Sequence, residues 1–181
     1  VAHHLLVRRA EFGTAWSAWL DDDARWGATA VRAGDPIATV AAAVVRDAHR
    51  RLVKDGRAVK KSSPPIVLHD LRKDAKRVRY LLECFGPVFD PESVDTVVAP
   101  LRTLQDLLGT FQDAAVQAEE LERLVSDGDL DDAQALLAVG IVVDDLARSS
   151  DRARRSLAKA FDRFDDRSVR RAVDALVRPT K

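Results

Sequence analysis

A dense group of cationic side chains follows a histidine near the middle of the chain. The stretch HDLRKDAKRVR, residues 69–79, contains five Lys or Arg among eleven residues. An α-helix turns by about 100° per residue, so positions three and four apart share a face. The cationic face then consists of His69, Arg72, Lys73, Lys76 and Tyr80, with Arg77 and Arg79 flanking it on either side. Apolar residues gather on the opposite side, so the pattern predicts an amphipathic helix whose exposed face is suited to an anion.

The like charges on this face repel one another. Arg72 precedes Lys76, and Lys73 precedes Arg77, by four residues. Each such pair destabilises an isolated helix by about 0.2–0.5 kcal/mol. Glu83, four residues after Arg79, is the counter-charge that we expect on this side. A bound anion would offset the repulsion; the alternative is a solvated helix whose cations meet acidic helices later in the chain.

His69 admits several roles when the residues are taken alone. It could cap or pack the helix, bind a metal, act as a general base or join an anion site. No second metal ligand lies at a suitable spacing on the same face. No Walker loop, GxSxG or HExxH motif occurs. We therefore expect no metal, no cofactor and no catalytic residue.

The charge of the chain is segregated along its 181 residues. The net charge is zero, yet residues 46–80 carry twelve Lys or Arg against four Asp or Glu. Residues 83–132 carry two against thirteen. The first block favours an anionic partner, and the second could neutralise it from within.

The composition also limits the compartment and the extent of the chain. A single cysteine, Cys84, and the lack of a long apolar run predict a cytoplasmic protein without a membrane span or a signal peptide. The chain contains no methionine. We therefore expect it to be part of a longer protein.

No segment alternates apolar and polar residues, so we predict an all-α fold of the helical-bundle type with short connections. Gly56, Pro100 and Gly140 are expected to loosen, break or kink their helices. KKSSPP is expected to be a loop. The predicted helices cover about residues 2–24, 36–56, 66–86, 91–125 interrupted at Pro100, 130–164 and 168–177.

Two stretches resemble one known family. LHDLRKDAKRVRYLLECFGPVF and LRTLQDLLGTFQDAAV are similar to the two motif helices of the CHAD family, the conserved histidine α-helical domain. The resemblance implies two helical-bundle repeats around a basic channel that binds inorganic polyphosphate. It also implies a CYTH-type domain in the same full-length chain. The channel residues that it implies are His69, Arg72, Lys73, Lys76, Arg77 and Arg79, with Tyr80 beside them.

Only one such histidine helix is present, whereas a complete domain has two. Residues 1–34 therefore resemble the end of a first repeat, and residues 35–181 resemble a second repeat. Half of a channel is an open groove, which a second copy of the chain could close as a homodimer. We expect exposed apolar surface at Trp16 and Trp19, where the first repeat would pack.

Further cations could extend the site. Those at helical spacing or in the adjacent loop are Arg46, Arg50 and Lys54, then Lys60 and Lys61, then Arg148, Arg152, Arg155 and Lys159. For each group the alternative is an ordinary solvated face. Three residues of the second motif, Gln105, Gln112 and Asp113, are expected to pack and to form hydrogen bonds between helices.

The predicted function is non-enzymatic binding of polyphosphate, or of other phosphate and sulfate anions. One alternative is nucleic-acid binding, which would use the same cations but should add aromatic stacking. A second is a scaffold that docks an acidic protein. A phosphohydrolase fits less well, because such enzymes need carboxylates beside the cations to hold metal ions, and Asp70 and Asp74 point toward the edge of the helix.

Overall fold

The computed structural model describes residues 13–18, 34–128 and 132–178. No strand occurs in these ranges, which confirms the all-α prediction. The helices are α1, described over residues 13–18, α2 (Ile37–Ala58), α3 (Pro65–Phe85), a 3-10 turn (Gly86–Val88), α4 (Pro91–Ser126), α5 (Ala133–Phe164) and α6 (Arg167–Leu176).

The chain divides into two compact units, Val1–Pro36 and Ile37–Lys181. Helices α2 to α6 all belong to the second unit. The assignment of residues 1–34 to a first repeat and of 35–181 to a second stays a prediction. None of the described helices is long and apolar enough to cross a membrane.

The core of the second unit lies where its helices meet. Helix α4 packs along α5 and also contacts α6. Helix α3 packs against α2 on one side and α4 on the other. Large aliphatic side chains from α2, α3 and α4 are almost fully buried, together with one phenylalanine from α5. They include Leu52, Leu68, Leu71, Leu101, Leu104, Leu108 and Phe164.

The helix ends follow the local signals in the sequence. The carboxylate of Asp90 accepts a hydrogen bond from the Ser93 backbone N–H at 2.8 Å. Asp132 does the same for Ala135 at the start of α5. Such side-chain caps satisfy backbone donors that the first helical turn leaves unpaired. Pro64 is the N-cap of α3 and Pro65 is its first residue, one residue before the predicted start near Ile66.

Pro100 does not interrupt its helix. It lies inside α4, which is one continuous helix, so of the two expected outcomes, a break or a kink, the break is wrong. A proline in a helix interior costs about 3 kcal/mol. The neighbouring side chains of Val97, Val98 and Leu101 are buried in the core. Their burial offsets that cost, because each contributes about 1.5–3 kcal/mol.

Gly56 does not interrupt α2, and it lies where α2 contacts a side chain of α5. It is buried, and a Cβ at this position would overlap the ring of Phe161 on α5. Gly140, by contrast, is exposed within α5, and a Cβ there would meet nothing nearby. Helix α5 continues through Gly140 without a break.

Of the two tryptophans that we expected to be exposed in the first unit, the structure describes Trp16. The Trp16 side chain is 48% exposed, in agreement with the expected apolar surface near the first helix. Trp19 lies outside the described residues.

Candidate functional site

Helix α3 has the two faces that its sequence predicts. Its aliphatic side is buried at Leu68, Leu71, Ala75, Val78 and Leu82. The cationic positions are half-buried or exposed. The helix is therefore anchored in the core by one side, and the other side is left open along about 16 Å between residues 69 and 80.

Asp74 is an acidic residue that the sequence analysis did not expect to be buried. Its carboxylate lies 3.1 Å from Nε of Arg51 on α2. Burial raises the pKa of Asp74, and the nearby Arg51 guanidinium opposes that rise. This contact joins α3 to α2 and lies about 140–160° around α3 from Arg72, Lys76 and Arg79.

Asp70 behaves differently from Asp74, although the two are one turn apart. It is exposed, and its carboxylate accepts a hydrogen bond from Lys73 at 2.7 Å. That bond holds the pKa of Asp70 below its ordinary range. Glu83 lies 3.3 Å from Arg79, as expected. Two carboxylates of α3 therefore compensate its cationic face, rather than Glu83 alone.

The cationic face of α3 forms one wall of a groove against α4. This α3–α4 groove has a volume of about 440 Å³. The α3 wall consists of Arg72, Lys76, Arg79 and Tyr80, and the α4 wall of Gln105, Asp106, Gly109, Thr110 and Asp113. Gly109 has no side chain, which keeps the groove open at the middle of the α4 wall.

The α4 wall neutralises the α3 cations only in part. Nη2 of Arg72 is 3.9 Å from the Asp113 carboxylate, at the outer limit of an ion pair. Lys76 makes no ion pair with any described residue. Its Nζ lies 5.8 Å from the ring centre of Tyr80, and the Arg79 guanidinium lies 5.2 Å from the same ring. Cation–π contacts hold these two cations at the groove without removing their charge.

Two buried polar groups that line the groove lack hydrogen-bond partners. The Gln105 side chain is 7% exposed, and neither its amide nitrogen nor its amide oxygen has a partner. Nε of Arg79 is also buried and unpartnered, since its approach to Glu83 lacks hydrogen-bond geometry. Leaving such a group unpaired costs about 1–3 kcal/mol, a cost that a polar group in the groove would offset.

His69 joins α3 to α4 above the groove. Its Nδ1 is 3.0 Å from Oε1 of Gln112, and because an amide oxygen only accepts, Nδ1–H donates. This contact confirms the expectation that Gln112 forms a hydrogen bond between helices. Nε2 then acts as a donor only when the imidazole is protonated. His69 thus positions the start of α3 against α4.

The structure separates two of the predicted cations from the groove. Lys73 and Arg77 lie on the outer side of α3, beside a shallow depression that also contacts Leu81 and Cys84. Lys76 and Tyr80 belong to both surfaces. An anion in the groove would therefore meet Arg72, Lys76 and Arg79 first.

The stripe on α2 faces a different neighbour. Arg46, Arg50 and Lys54 line a second groove, between α2 and α6. Nη2 of Arg46 donates to the carbonyl of Val177 at 2.7 Å. None of these three residues lines the α3–α4 groove.

The remaining cations are also outside the α3–α4 groove. Lys60 and Lys61 lie in the loop before α3, where Arg154 of α5 donates to the carbonyls of Lys61 and Ser63. Arg148 pairs with Asp144 and Asp145 on its own helix. The other members of that stripe are exposed on α5: Arg152, Arg155 and Lys159.

Sequence reasoning missed most of the α4 wall. Asp106, Gly109 and Thr110 were not singled out, and Gln105 was expected to bond within the fold. Asp106, Gly109 and Thr110 follow Gln105 by one, four and five residues, so all four positions share one helix face. That spacing is the sequence pattern from which the α4 wall could have been predicted. No cluster of three metal-ligating side chains occurs in the described part of the chain.

The sequence was compared with models of known protein families. The family model described as the CHAD domain matches residues 4–122 of the chain. The match includes α2, α3 and most of α4, and therefore both walls of the α3–α4 groove. Among curated proteins, none matches the chain.

Proposed function

Because the chain belongs to the CHAD domain family, we propose that it binds inorganic polyphosphate in the α3–α4 groove and catalyses no reaction. The observation that carries the proposal is that one groove contains three cations, Arg72, Lys76 and Arg79, and also buried polar atoms without hydrogen-bond partners, on Gln105 and Arg79. A phosphate chain carries negative oxygens at regular intervals, so it can meet Arg72, Lys76 and Arg79 together.

Each group in the groove has a distinct part in this binding. Arg72 and Arg79 present planar guanidinium groups that donate paired hydrogen bonds to phosphate oxygens, whereas Lys76 acts as a mobile point charge. The Gln105 amide nitrogen donates to a neutral or anionic oxygen at the base of the groove. Binding then relieves both the like-charge repulsion on α3 and the cost of the unpaired amide nitrogen.

The outer cations extend the same proposal. Lys73 and Arg77 would hold a phosphate chain that passes over the rim of the groove. Release of condensed counterions contributes to such binding, and each neutralised phosphate of a nucleic acid adds about 0.7–0.9 to the logarithmic salt dependence. His69 would add a donor when it is protonated.

Substitution of the cationic face tests the proposal. Arg72→Gln, Lys73→Gln and Lys76→Gln together should weaken polyphosphate binding about tenfold or more and lower its salt slope by about two. Glutamine keeps the helix, because its helix propensity is similar. The measurement is calorimetric titration with polyphosphate at several salt concentrations, with circular dichroism as the check of folding.

The matched control removes three cations from the other stripe. Arg148→Gln, Arg152→Gln and Arg155→Gln lower the net charge equally but lie outside the groove. This variant should retain binding within about twofold of the wild type. Loss of binding in the control with retention in the α3 variant would reject the α3–α4 groove as the site.

Gln105 tests the groove rather than the charge. Gln105→Leu leaves the number of cations unchanged and has a similar side-chain volume, so it should fold at least as well as the wild type. It should weaken polyphosphate binding a few-fold with an unchanged salt slope. An unchanged affinity would show that the buried amide does not contact the ligand.

Single-stranded nucleic acid is the second candidate ligand. The Tyr80 ring is 49% exposed beside Lys76 and Arg79, which is the arrangement that stacks a base between cations. Competition distinguishes the two ligands. Polyphosphate should displace bound RNA, whereas RNA should displace polyphosphate poorly; the reverse order would favour nucleic acid.

The proposal extends to the setting of this chain. A cytoplasmic location, a CYTH-type domain in the full-length protein and a homodimer that closes the open groove are all consistent with the family resemblance. A scaffold for an acidic protein would use the same cations, but it would leave the buried Gln105 amide without a role.

A further inference from the structure

The groove between α2 and α6 is a second cationic site, independent of the α3–α4 groove. It has a volume of about 560 Å³, within the range of small-molecule sites. Helix α6, Arg167–Leu176, lies beyond the part of the chain that the family model matches. The groove therefore combines a matched helix with an unmatched one.

Cations border this α2–α6 groove on both helices. Arg46, Arg50, Lys54 and Arg57 come from α2, and Arg170 comes from α6. Arg57 forms two hydrogen bonds to Asp165, at 2.7 and 3.1 Å, so its charge is largely committed. Arg46 caps the carboxyl end of α6 through Val177.

Arg50 and Lys54 are the cations left open to a ligand. Arg50 is 3.8 Å from Asp47, and both side chains point into solvent. Lys54 makes no ion pair with any described residue. The two lie one turn apart on α2 at the middle of the groove, where they can hold the oxygens of one or two phosphate groups.

The wall of the groove is apolar and contains an unpartnered histidine. The apolar wall residues are Val53, Val173 and Val177, and His49 and the acidic Asp174 also line the groove. His49 is 9% exposed, and its Nε2 is buried without a hydrogen-bond partner. Its ring packs 5.5 Å from the Phe164 ring, which fixes its position. Burial lowers the pKa of His49, an effect that Asp165 and Asp174 oppose.

These features differ from those of a site for a bare phosphate chain. An inorganic chain offers only hydrogen-bond acceptors and would leave the valine wall in contact with water. A nucleoside phosphate offers an apolar base as well as donors and acceptors, so it can satisfy Nε2 of His49 in either tautomer.

We propose that the α2–α6 groove binds a nucleoside phosphate, with the phosphates on Arg50 and Lys54 and the base against Val53, Val173 and His49. The site is distinct from the α3–α4 groove, because the two grooves share no lining residue. Both ligands could therefore bind to one chain at the same time.

Calorimetric titration with ADP and with pyrophosphate tests the ligand class. The two probes share a diphosphate, so ADP should bind about tenfold tighter or more if the base contacts the groove. Equal affinity for the two probes, or no binding of ADP, would overturn the proposal.

Two pairs of variants test the location. Arg50→Gln with Lys54→Gln should weaken ADP binding about tenfold and leave polyphosphate binding within about twofold. Arg72→Gln with Lys76→Gln should do the opposite. If ADP binding is lost in the second pair and kept in the first, ADP occupies the α3–α4 groove, and the proposal fails without affecting the proposed function.

His49→Phe tests the polar contact with the base. Phenylalanine preserves the ring packing against Phe164 but has no Nε2. The variant should weaken ADP binding several-fold and leave pyrophosphate binding unchanged. Equal effects on the two probes would mean that His49 has only a packing role, and would reject the contact.

Discussion

Two aspartates on α3, one turn apart, should respond to pH in opposite directions. Burial raises the pKa of Asp74, whereas the hydrogen bond from Lys73 lowers that of Asp70. Between the ordinary aspartate pKa and the raised value of Asp74, the folded chain binds more protons at this site than the unfolded chain does. The contribution of Asp74 to stability therefore falls as pH rises through that window.

Asp74→Asn should remove this dependence. The free energy of unfolding, measured with urea at several pH values, should then fall less than that of the wild type as pH rises through the window. Asp70→Asn serves as the control, because the pKa of Asp70 is lowered and its contribution to stability therefore changes with pH in the opposite direction. Asp70 contributes stability above the ordinary aspartate pKa and loses it as pH falls through the lowered value. A wild-type slope in the Asp74→Asn variant would contradict the raised pKa.

At the scale of the helices, the contact between Gly56 of α2 and Phe161 of α5 depends on the absence of a side chain at Gly56. Gly56 lies against the ring of Phe161, and a Cβ at this position would overlap it. Gly56→Ala should therefore lower the free energy of unfolding by about 1–3 kcal/mol, although alanine is the better helix former. Denaturant unfolding followed by circular dichroism measures the change.

Gly140 supplies the matched control on α5. It is exposed in a helix interior with open space at its Cβ, so Gly140→Ala should raise the free energy of unfolding by about 0.5–1 kcal/mol. Adding Phe161→Leu to Gly56→Ala should recover part of the loss, because the two positions share one contact. If Gly56→Ala instead raised the free energy of unfolding, α2 and α5 would be able to move apart at little energetic cost, and the prediction would be wrong.

At the scale of the whole molecule, exposed apolar side chains and a zero net charge favour self-association. Leu137 and Ile141 are 70% and 68% exposed, four residues apart on α5. We expect the chain to form a homodimer through such surfaces. Leu137→Gln with Ile141→Gln should weaken the dimer, as measured by sedimentation equilibrium at several protein concentrations.

The control for this prediction is Arg152→Gln with Arg155→Gln, which alters exposed α5 residues without removing apolar surface. It should dimerise as the wild type does. A wild-type chain that stays monomeric up to its solubility limit would reject self-association. If the Gln pair and the control dimerise equally, the interface lies elsewhere.

The sequence by itself determined the helical class, the loops at the prolines and the two faces of α3. These properties are local: a period of 3.6 residues assigns each side chain to a face, and proline and aspartate set the helix ends. The motif around His69 also predicted the family that the matched region confirms. Pro100 marks the limit of local rules, because the buried neighbours of a helix can outweigh its propensity.

Only the tertiary structure decided which helix faces meet. It placed the unpartnered Gln105 amide opposite Arg72, turned the Arg50 stripe toward α6 and buried Asp74 against α2. Each of these outcomes depends on how a helix is rotated about its axis and which neighbour it packs against. Core packing between residues far apart in the chain fixes that rotation, and no single segment contains the information.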